Sequence, residues 1–376
     1  MEQKYLLCVD IGTYSSKGVL VEAHTGEIVA EHAIEHGLDA PHSGWAEHIA
    51  DQIWWREFAE ICRALIQDGN IPPQEIACVG VSALGACVLP IDAAGHPLRK
   101  AILYGIDTRA VDEIQELESV FSKEKIFDIA GMHLSTQSTG PKILWIKNHE
   151  PDIFNQTACF LTSQAYIVHR LTGAATLDYF TTADFSPMMD IRRKRWHKET
   201  TKYITPIEKL PEPSWSCEIV GGVTEEATKE TGLVPGTRVI VGTTDANAEM
   251  VSSGGNKPGD MMMMMFGSSF FFVMLTQKLL LSEKFWATPW LDASVYALQG
   301  GTSTAGSLTR WFCDNFAPVE VAAQKAGGEP AYAALAKLLD ESAPGAKGLI
   351  SPPYFEGADA KPKQLIGVSG GTKNHG

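Results

Sequence analysis

The chain has 376 residues, of which 44% are hydrophobic and 20% charged, with a formal net charge of −14. This length is enough for two domains with separate cores, and the acidic balance argues against nucleic acid or an anionic membrane surface as a partner. The seven scattered cysteines contain no CxxC pair, so we expect reduced thiols in a cytoplasmic protein rather than disulfides or a zinc site.

The first predicted elements are two strands, residues 5–9 and 18–21, joined by a turn rich in hydroxyl side chains. Asp10 ends the first strand, Gly12 opens the turn and Thr13 follows it. A glycine lets backbone N–H groups approach an anion, and the adjacent carboxylate could hold a cation beside that anion. The pattern indicates a site for a nucleotide phosphate with Mg²⁺, and an ordinary hairpin is the alternative interpretation.

The next elements predict a sheet that is not of the strict βαβ kind. A third strand at 28–34 completes a meander, a helix covers 49–67, and a buried strand follows at 76–82. Segments 88–91 and 97–103 are expected to pair with each other. Strands followed by a helix and another strand are typical of a ribonuclease-H-like sheet.

Further elements lead to one acidic residue. Helices are predicted at 107–120, 141–149, 163–171 and 225–231, and a strand at 239–242. Asp245 follows that strand and precedes a predicted helical segment, a position where catalytic side chains occur in α/β proteins. Its alternative role is to cap the helix.

Residues 261–275 repeat the scheme of the first hairpin, with two apolar runs around a Gly-Ser-Ser turn. Two such hairpins suggest a duplicated architecture, in which each domain offers a phosphate-binding turn. The methionines of this segment are predicted to form a buried strand. Glycine pairs at Gly300–Gly301 and Gly370–Gly371 either bring backbone close to a ligand or simply turn the chain.

Six segments resemble the FGGY family of carbohydrate kinases and occur in the family's order. They are DIGTYSSK at 10–17, GWAEH at 44–48, LYGIDTR at 103–109, PKILWIKNHEP at 141–151, VGTTDANAE at 241–249 and GGTSTAGSLTRW at 300–311. The Pro-Lys-x-Leu-Trp segment matches a specific family signature, and the chain looks most like the xylulose kinase branch. The resemblance implies an α/β fold of two actin-like, ribonuclease-H-like domains around a cleft.

The resemblance also implies the reaction and the residues that perform it. ATP and Mg²⁺ would meet a sugar or polyol, Asp245 would be the general base and Asp10 the metal residue. The implied substrate-binding residues are Trp45, Asp107, Arg109 and Gln137. The implied nucleotide-binding residues are Gly12, Thr13, Gly267, Ser268, Ser269, Gly300, Gly301, Gly370 and Gly371. No nucleic acid or membrane partner is expected, and a homodimer is one candidate assembly.

Two departures from the family pattern leave questions open. Gly85 and Ala86 stand where xylulose kinases carry a Met-His pair, so the sugar is not identified. Beyond 354–357 the chain passes within a few residues to a Gly-Gly-Thr-Lys-Asn turn, so we expect a complete domain at 1–245, an incomplete one at 246–376, and a longer natural chain. A catalytically inactive sugar-binding or regulatory protein is the rival hypothesis. A dehydrogenase is a distant third, because no GxGxxG follows the first strand.

Overall fold

The structure is a computed structural model, and it describes residues 4–265, 270–302 and 306–348. The strands of this part are β1 (Tyr5–Ile11), β2 (Ser15–Glu22), β3 (Ile28–Glu35), β4 (Glu47–His48), β5 (Ile76–Ala83), β6 (Leu89–Ile91), β7 (Ala101–Ile102), β8 (Cys159–Leu161), β9 (Thr176–Asp178), β10 (Met189–Asp190), β11 (Arg195–Trp196), β12 (Glu212–Ser214), β13 (Ile219–Gly222), β14 (Arg238–Ile240), β15 (Thr243–Thr244), β16 (Met261–Met265), β17 (Phe270–Thr276), β18 (Trp286–Pro289) and β19 (Tyr296–Thr302). The α-helices are α1 (Arg56–Asp68), α2 (Val111–Phe121), α3 (Lys123–Ala130), α4 (Thr139–His149), α5 (Pro151–Gln156), α6 (Ser163–Thr172), α7 (Tyr179–Ala183), α8 (Lys198–Ile204), α9 (Glu225–Thr231), α10 (Asp245–Ser252), α11 (Gly306–Phe316), α12 (Pro318–Lys325) and α13 (Ala331–Asp340).

The main sheet has the strand order β13-β14-β5-β1-β2-β3, with β15 also paired to β5. Strands β1, β2 and β3 form the predicted antiparallel meander, and β5 lies parallel to β1. Alternate residues of β1 (Leu7, Val9 and Ile11) are buried, as expected for a strand with one face on the core. The predicted order of strands, helix and strand is confirmed.

Helix α1 crosses between β3 and β5 and packs its apolar face against the meander. Phe58, Ile61 and Leu65 are fully buried at helical spacing. The helix predicted at 49–67 differs at its start, where a π-helical turn (Asp51–Trp55) precedes α1. Such turns are frequent at functional sites, and in this one the buried Trp54 donates its indole N–H to His48 Nδ1 at 3.1 Å.

The structure corrects or refines three predicted details. The helix expected from residue 107 begins at Val111, because the carboxylate of Asp107 instead accepts bonds from a neighbouring loop. The expected pairing of 88–91 with 97–103 is present, through the bridges Val88–Ile102 and Ile91–Pro97. In addition, β6 pairs with β8 and β7 pairs with β4. Gly300 and Gly301 lie inside β19, which excludes the turn alternative, and their approach to a ligand stays a prediction. A side chain at Gly301 would come within 2.5 Å of the Phe270 carbonyl oxygen, which explains a glycine within the strand.

The later strands form a four-stranded sheet in the order β16-β17-β19-β18. The methionine-rich segment is a strand as predicted, but its burial was predicted wrongly. Met261 and Met263 are 61% and 59% exposed, whereas Met264 is buried. Alternation across the two faces of a strand accounts for this pattern.

The chain divides into two compact units. One contains Met1–Asp260 and Met274–Leu298, and the other contains Met261–Val273 and the chain from Gln299 onward. Asp245 and α10 lie in the first unit, and the expected division into 1–245 and 246–376 stays a prediction.

All seven cysteines are free thiols, as expected. In the described ranges, no helix combines the length and apolar character needed to cross a membrane.

Candidate active site

The candidate site lies where three parallel strands of the first unit end side by side. In the register of the sheet, Asp10 of β1 and Thr243 of β15 both stand opposite Ser82 of β5. Adjacent strands are about 4.8 Å apart, so the Cα atoms of Asp10 and Thr243 are roughly 10 Å apart. Asp245 follows two residues later, so the sheet brings together the predicted metal residue and the predicted base.

Asp245 is the first residue of α10 and is not its cap. Thr244 occupies the N-cap position with extended backbone. The Asp245 Oδ1 atom accepts a hydrogen bond of 2.8 Å from its neighbour, the Ala246 N–H. One oxygen of the Asp245 carboxylate thus accepts an N–H group of the first turn of α10, and the charge of Asp10 acts on the same carboxylate.

Three carboxyl groups at this edge, those of Asp10, Asp245 and Glu249, influence one another's charge. Burial, and then the charge of Asp10, raise the pKa of Asp245 to about 7. Burial and Asp10 also raise the pKa of Glu249, one turn along α10, while Lys17 opposes that rise. The Ser82 hydroxyl donates to Asp10 Oδ1 at 2.7 Å and fixes its orientation. Mutual repulsion of this kind indicates a place suited to a cation.

The donors present fit Mg²⁺ bound together with a nucleotide. Mg²⁺ usually takes one or two protein carboxylates and fills its remaining positions with water and phosphate oxygens. Asp10, with Asp245 nearby, supplies such oxygens. A complete protein cage is a different arrangement, and the described residues contain no group of three or more His, Cys, Asp or Glu side chains able to form one.

The β1–β2 turn lies at the same edge. Gly12 donates its N–H to the Ser15 carbonyl at 2.9 Å, which closes the turn. The Thr13 hydroxyl lies 3.0 Å from the hydroxyl of Tyr104. The charge of Asp245 contributes to raising the pKa of Tyr104, after burial, so the turn, Tyr104 and Asp245 share one environment.

Trp45, Asp107 and Arg109, three of the predicted substrate residues, also come together. The Arg109 guanidinium lies 3.8 Å from the centroid of the Trp45 ring and pairs with Asp107 at 2.6 Å and Glu47 at 2.8 Å. Asp107 also accepts the Ala46 N–H at 2.7 Å. Asp107 and Arg109 are buried, whereas Trp45 is half-buried. These contacts support the Trp45 loop, and direct contact of the ion pair with a ligand would require that loop to move.

Gln137 lies against the segment that contains Tyr104. Its Oε1 atom accepts the Gly105 N–H at 3.0 Å. Lys142, the lysine of the signature segment, donates from Nζ to the carbonyls of Leu103 and Tyr104 at 2.6 and 2.7 Å. Burial lowers the pKa of Lys142 to about 8. The signature lysine therefore holds the backbone on which Tyr104 and Gln137 depend.

The remaining predicted residues fall into two groups. Gly300 and Gly301 lie in β19. Gly267, Ser268, Ser269, Gly370 and Gly371 lie outside the described residues.

Sequence reasoning missed several residues of the site. They are Ser82, Tyr104, Glu249, His36 and His48. Ser82 ends a predicted strand and Tyr104 lies within the LYGIDTR segment, so both carried a usable signal. The histidines carried no such signal, because the histidines of the sequence show no metal-ligand spacing. In the structure both rings are hydrogen-bonded to the β1–β2 turn and have little exposed surface.

Comparison with known proteins gives a consistent result. The model of the N-terminal domain of the FGGY family of carbohydrate kinases matches residues 5–252. A glycerol kinase from Nocardia farcinica is 28% identical over 369 residues, covering 93% of this chain and 70% of the relative. A xylulose kinase from Bacillus subtilis is 27% identical over 376 residues, covering 98% and 72%. The crystal structure of xylulose kinase from Rhodospirillum rubrum aligns with a TM-score of 0.86 and 26% identity, over 95% of this chain and 71% of that chain. The predicted α/β, actin-like fold class is thereby confirmed.

Proposed function

The chain belongs to the FGGY family of carbohydrate kinases, and from that premise we propose that it transfers the γ-phosphoryl group of ATP to a hydroxyl group of a sugar or polyol, with Asp245 as general base. The observation that carries the assignment is that Asp10 and Asp245 lie at the edge where β1, β5 and β15 end, with the pKa of Asp245 raised to about 7. A general base is most effective when its pKa lies near the working pH.

In the proposed step, Asp245 accepts the proton of the attacking hydroxyl group. The hydroxyl oxygen forms the new bond to the γ-phosphorus, and the bond from that phosphorus to the β–γ bridging oxygen breaks, so that ADP leaves. Phosphoryl transfer depends mainly on positioning and charge neutralisation. Mg²⁺ bound with the nucleotide would supply that neutralisation at the phosphate oxygens, and Asp10 is the residue proposed to hold it. Gly12 and Thr13 are proposed to contact the phosphates.

The substrate class follows from the relatives only in broad terms. The relatives named above are kinases of glycerol, a polyol, and of xylulose, a ketose. Gln137 and half-buried Trp45 are the proposed contacts, with Asp107 and Arg109 behind Trp45. We propose a ketose such as xylulose or a related sugar or polyol. ADP release measured over a panel of ketoses and polyols identifies it.

The substitution Asp245→Asn tests the catalytic assignment. It keeps the shape of the side chain but removes its basicity, so turnover should fall by roughly a hundredfold or more while sugar affinity changes little. Steady-state ADP release gives the turnover, and calorimetry gives the affinity. Asp112→Asn, an exposed aspartate of α2, is the matched control and should behave as wild type. An Asp245→Asn enzyme with near-native turnover would exclude Asp245 as the base.

A further inference from the structure

Three successive carbonyl groups of the β1–β2 turn are held by two histidines. The His36 Nε2 atom lies 3.2 Å from the Gly12 carbonyl oxygen, and His48 Nε2 lies 3.2 Å from that of Thr13. The backbone N–H of His36 donates to the Tyr14 carbonyl at 2.9 Å. His36 directly follows β3 and His48 ends β4, so two separate elements bind the same turn.

The partners of each ring determine its protonation. The Trp54 indole N–H donates to His48 Nδ1 at 3.1 Å, so that atom is an acceptor and Nε2 carries the hydrogen of a neutral ring. Burial, together with the nearby charge of His36, lowers the pKa of His48 to about 4, in agreement with a neutral ring.

His36 is in the opposite state. Its Nδ1 atom lies 2.9 Å from Glu57 Oε2, while its Nε2 atom faces a carbonyl, so both nitrogens must donate and the ring is an imidazolium. Both side chains of this ion pair are less than 10% exposed, and the same Glu57 oxygen accepts the Ser16 hydroxyl at 2.6 Å. Burial opposes the charge, but the hydrogen bond and charge of Glu57 outweigh it, so the pKa of His36 is raised.

The position of the carbonyls determines the direction of the N–H groups. In a trans peptide the N–H points away from the C=O of the same unit. The carbonyls of Gly12, Thr13 and Tyr14 are bound to the histidines, so each N–H group of Thr13, Tyr14 and Ser15 points away from the histidine contact made by the carbonyl of its own peptide unit. Successive N–H groups directed to one side form an anion-binding arrangement.

We propose that His36 and His48 are positioning residues that hold the β1–β2 turn with its N–H groups ready for a phosphate of the nucleotide. The proposal rests on the proposed function, in which this turn contacts ATP. Neither histidine touches the nucleotide in this scheme. Each acts through a turn carbonyl, and the Glu57 carboxylate acts by keeping His36 charged.

The test compares binding of ADP with binding of adenosine, which lacks phosphates. His36→Leu is made together with Glu57→Gln, so that no buried carboxylate loses its partner. This double variant should bind ADP about tenfold more weakly, because the Gly12 carbonyl is left without its donor. Adenosine affinity and the KM for the sugar should not change, while the KM for ATP should rise more than kcat falls.

Two further variants and a control complete the experiment. His36→Gln retains an N–H donor for the Gly12 carbonyl and should recover part of the ADP affinity, whereas His48→Gln tests the second histidine if the double variant fails to fold. His96→Leu replaces a histidine that is 75% exposed and should have no effect. Thermal unfolding of each variant separates loss of fold from loss of binding.

The outcomes distinguish the inference from the proposed function. One outcome is that wild type binds ADP and that the folded variants have the same ratio of ADP affinity to adenosine affinity as wild type. The positioning role is then wrong, while the kinase assignment stands. An equal loss of ADP and adenosine binding would also overturn the positioning role. If wild type binds no ADP, the proposed function fails and the inference fails with it.

Discussion

Burial, and after it the charge of Asp10, raises the pKa of Asp245 and so sets the pH at which Asp245 can act as a base. The two residues lie at the edge where β1, β5 and β15 end, and the pKa of Asp245 is about 7 because of burial and the charge of Asp10. The shift has a consequence for folding. A carboxyl whose pKa is raised above the unfolded value of about 3.9 holds its proton longer in the folded state, so its contribution to stability is lost as the pH rises from about 4 to 7.

We expect kcat/KM for the sugar to rise with pH through about 7, because only the carboxylate form of Asp245 accepts a proton. Titration of carbon-13-labelled aspartate carboxyl groups by NMR measures the same pKa in the absence of substrates. Asp10→Asn should lower it, whereas Asp112→Asn should leave it unchanged. A pKa near 4 in wild type would contradict the coupling between the two carboxyl groups.

At the scale of elements, the edge of the sheet depends on the bend between β14 and β15. Gly242 occupies that bend with φ of +76°, and an added Cβ would lie 2.2 Å from the Val81 carbonyl oxygen of β5. Glycine is thus required for two reasons: the backbone has a positive φ, and the β5 backbone leaves no room for a Cβ atom. The bend sets the direction of Thr243, Thr244 and the start of α10, and with them the position of Asp245.

Gly242→Ala should therefore reduce both stability and turnover. Gly236 is the matched control, because its φ is +81° and no atom lies within 4 Å of an added Cβ. Gly236→Ala should cost about 1–2 kcal/mol from backbone strain. Gly242→Ala should cost about 1–3 kcal/mol more, because it adds a clash with backbone. Denaturant unfolding measures the loss of stability in each variant. Equal losses would show that β5 shifts enough to accommodate the added methyl group.

At the scale of the whole molecule, the net charge of −14 limits how a phosphate can be bound. A polyphosphate approaching this chain meets general repulsion, so backbone N–H groups and a cation must supply the local attraction. The β1–β2 turn and the carboxylates at the strand ends lie at one edge of the sheet and match these two requirements. A homodimer stays a prediction, and sedimentation analysis would test it.

ADP with Mg²⁺, at about a hundred times its dissociation constant, should stabilise the fold by about 2.7 kcal/mol. For a chain of this size we expect the unfolding temperature to rise by about 3–8 °C. Differential scanning calorimetry measures the shift, with Mg²⁺ alone as the control. A protein stabilised by sugar but not by millimolar ADP would instead be the inactive sugar-binding protein of the rival hypothesis.

Local patterns account for the elements that the sequence predicted well. The helix that became α6 begins after the cap residue Thr162 and ends at Gly173, and α9 has the same arrangement between Thr224 and Gly232. Caps and terminating glycines act through bonds within a few residues, so they can be identified from sequence. Where a residue had a distant partner, as Asp107 had in the loop of Ala46, the predicted boundary was wrong.

The sequence by itself determined the family, the order of the elements and the two aspartates at strand ends, because hydrophobic period, turn residues and motif spacing are local properties. Only the tertiary structure decided that Asp10 and Thr243 stand on either side of Ser82, with Asp245 two residues further along, and that His36 and His48 bind one turn. Both facts depend on strand register and on contacts between residues that are at least 24 positions apart in the sequence. The charge of His36 and the neutrality of His48 follow from those contacts, because the state of a buried ring is determined by the partners that the fold places around it.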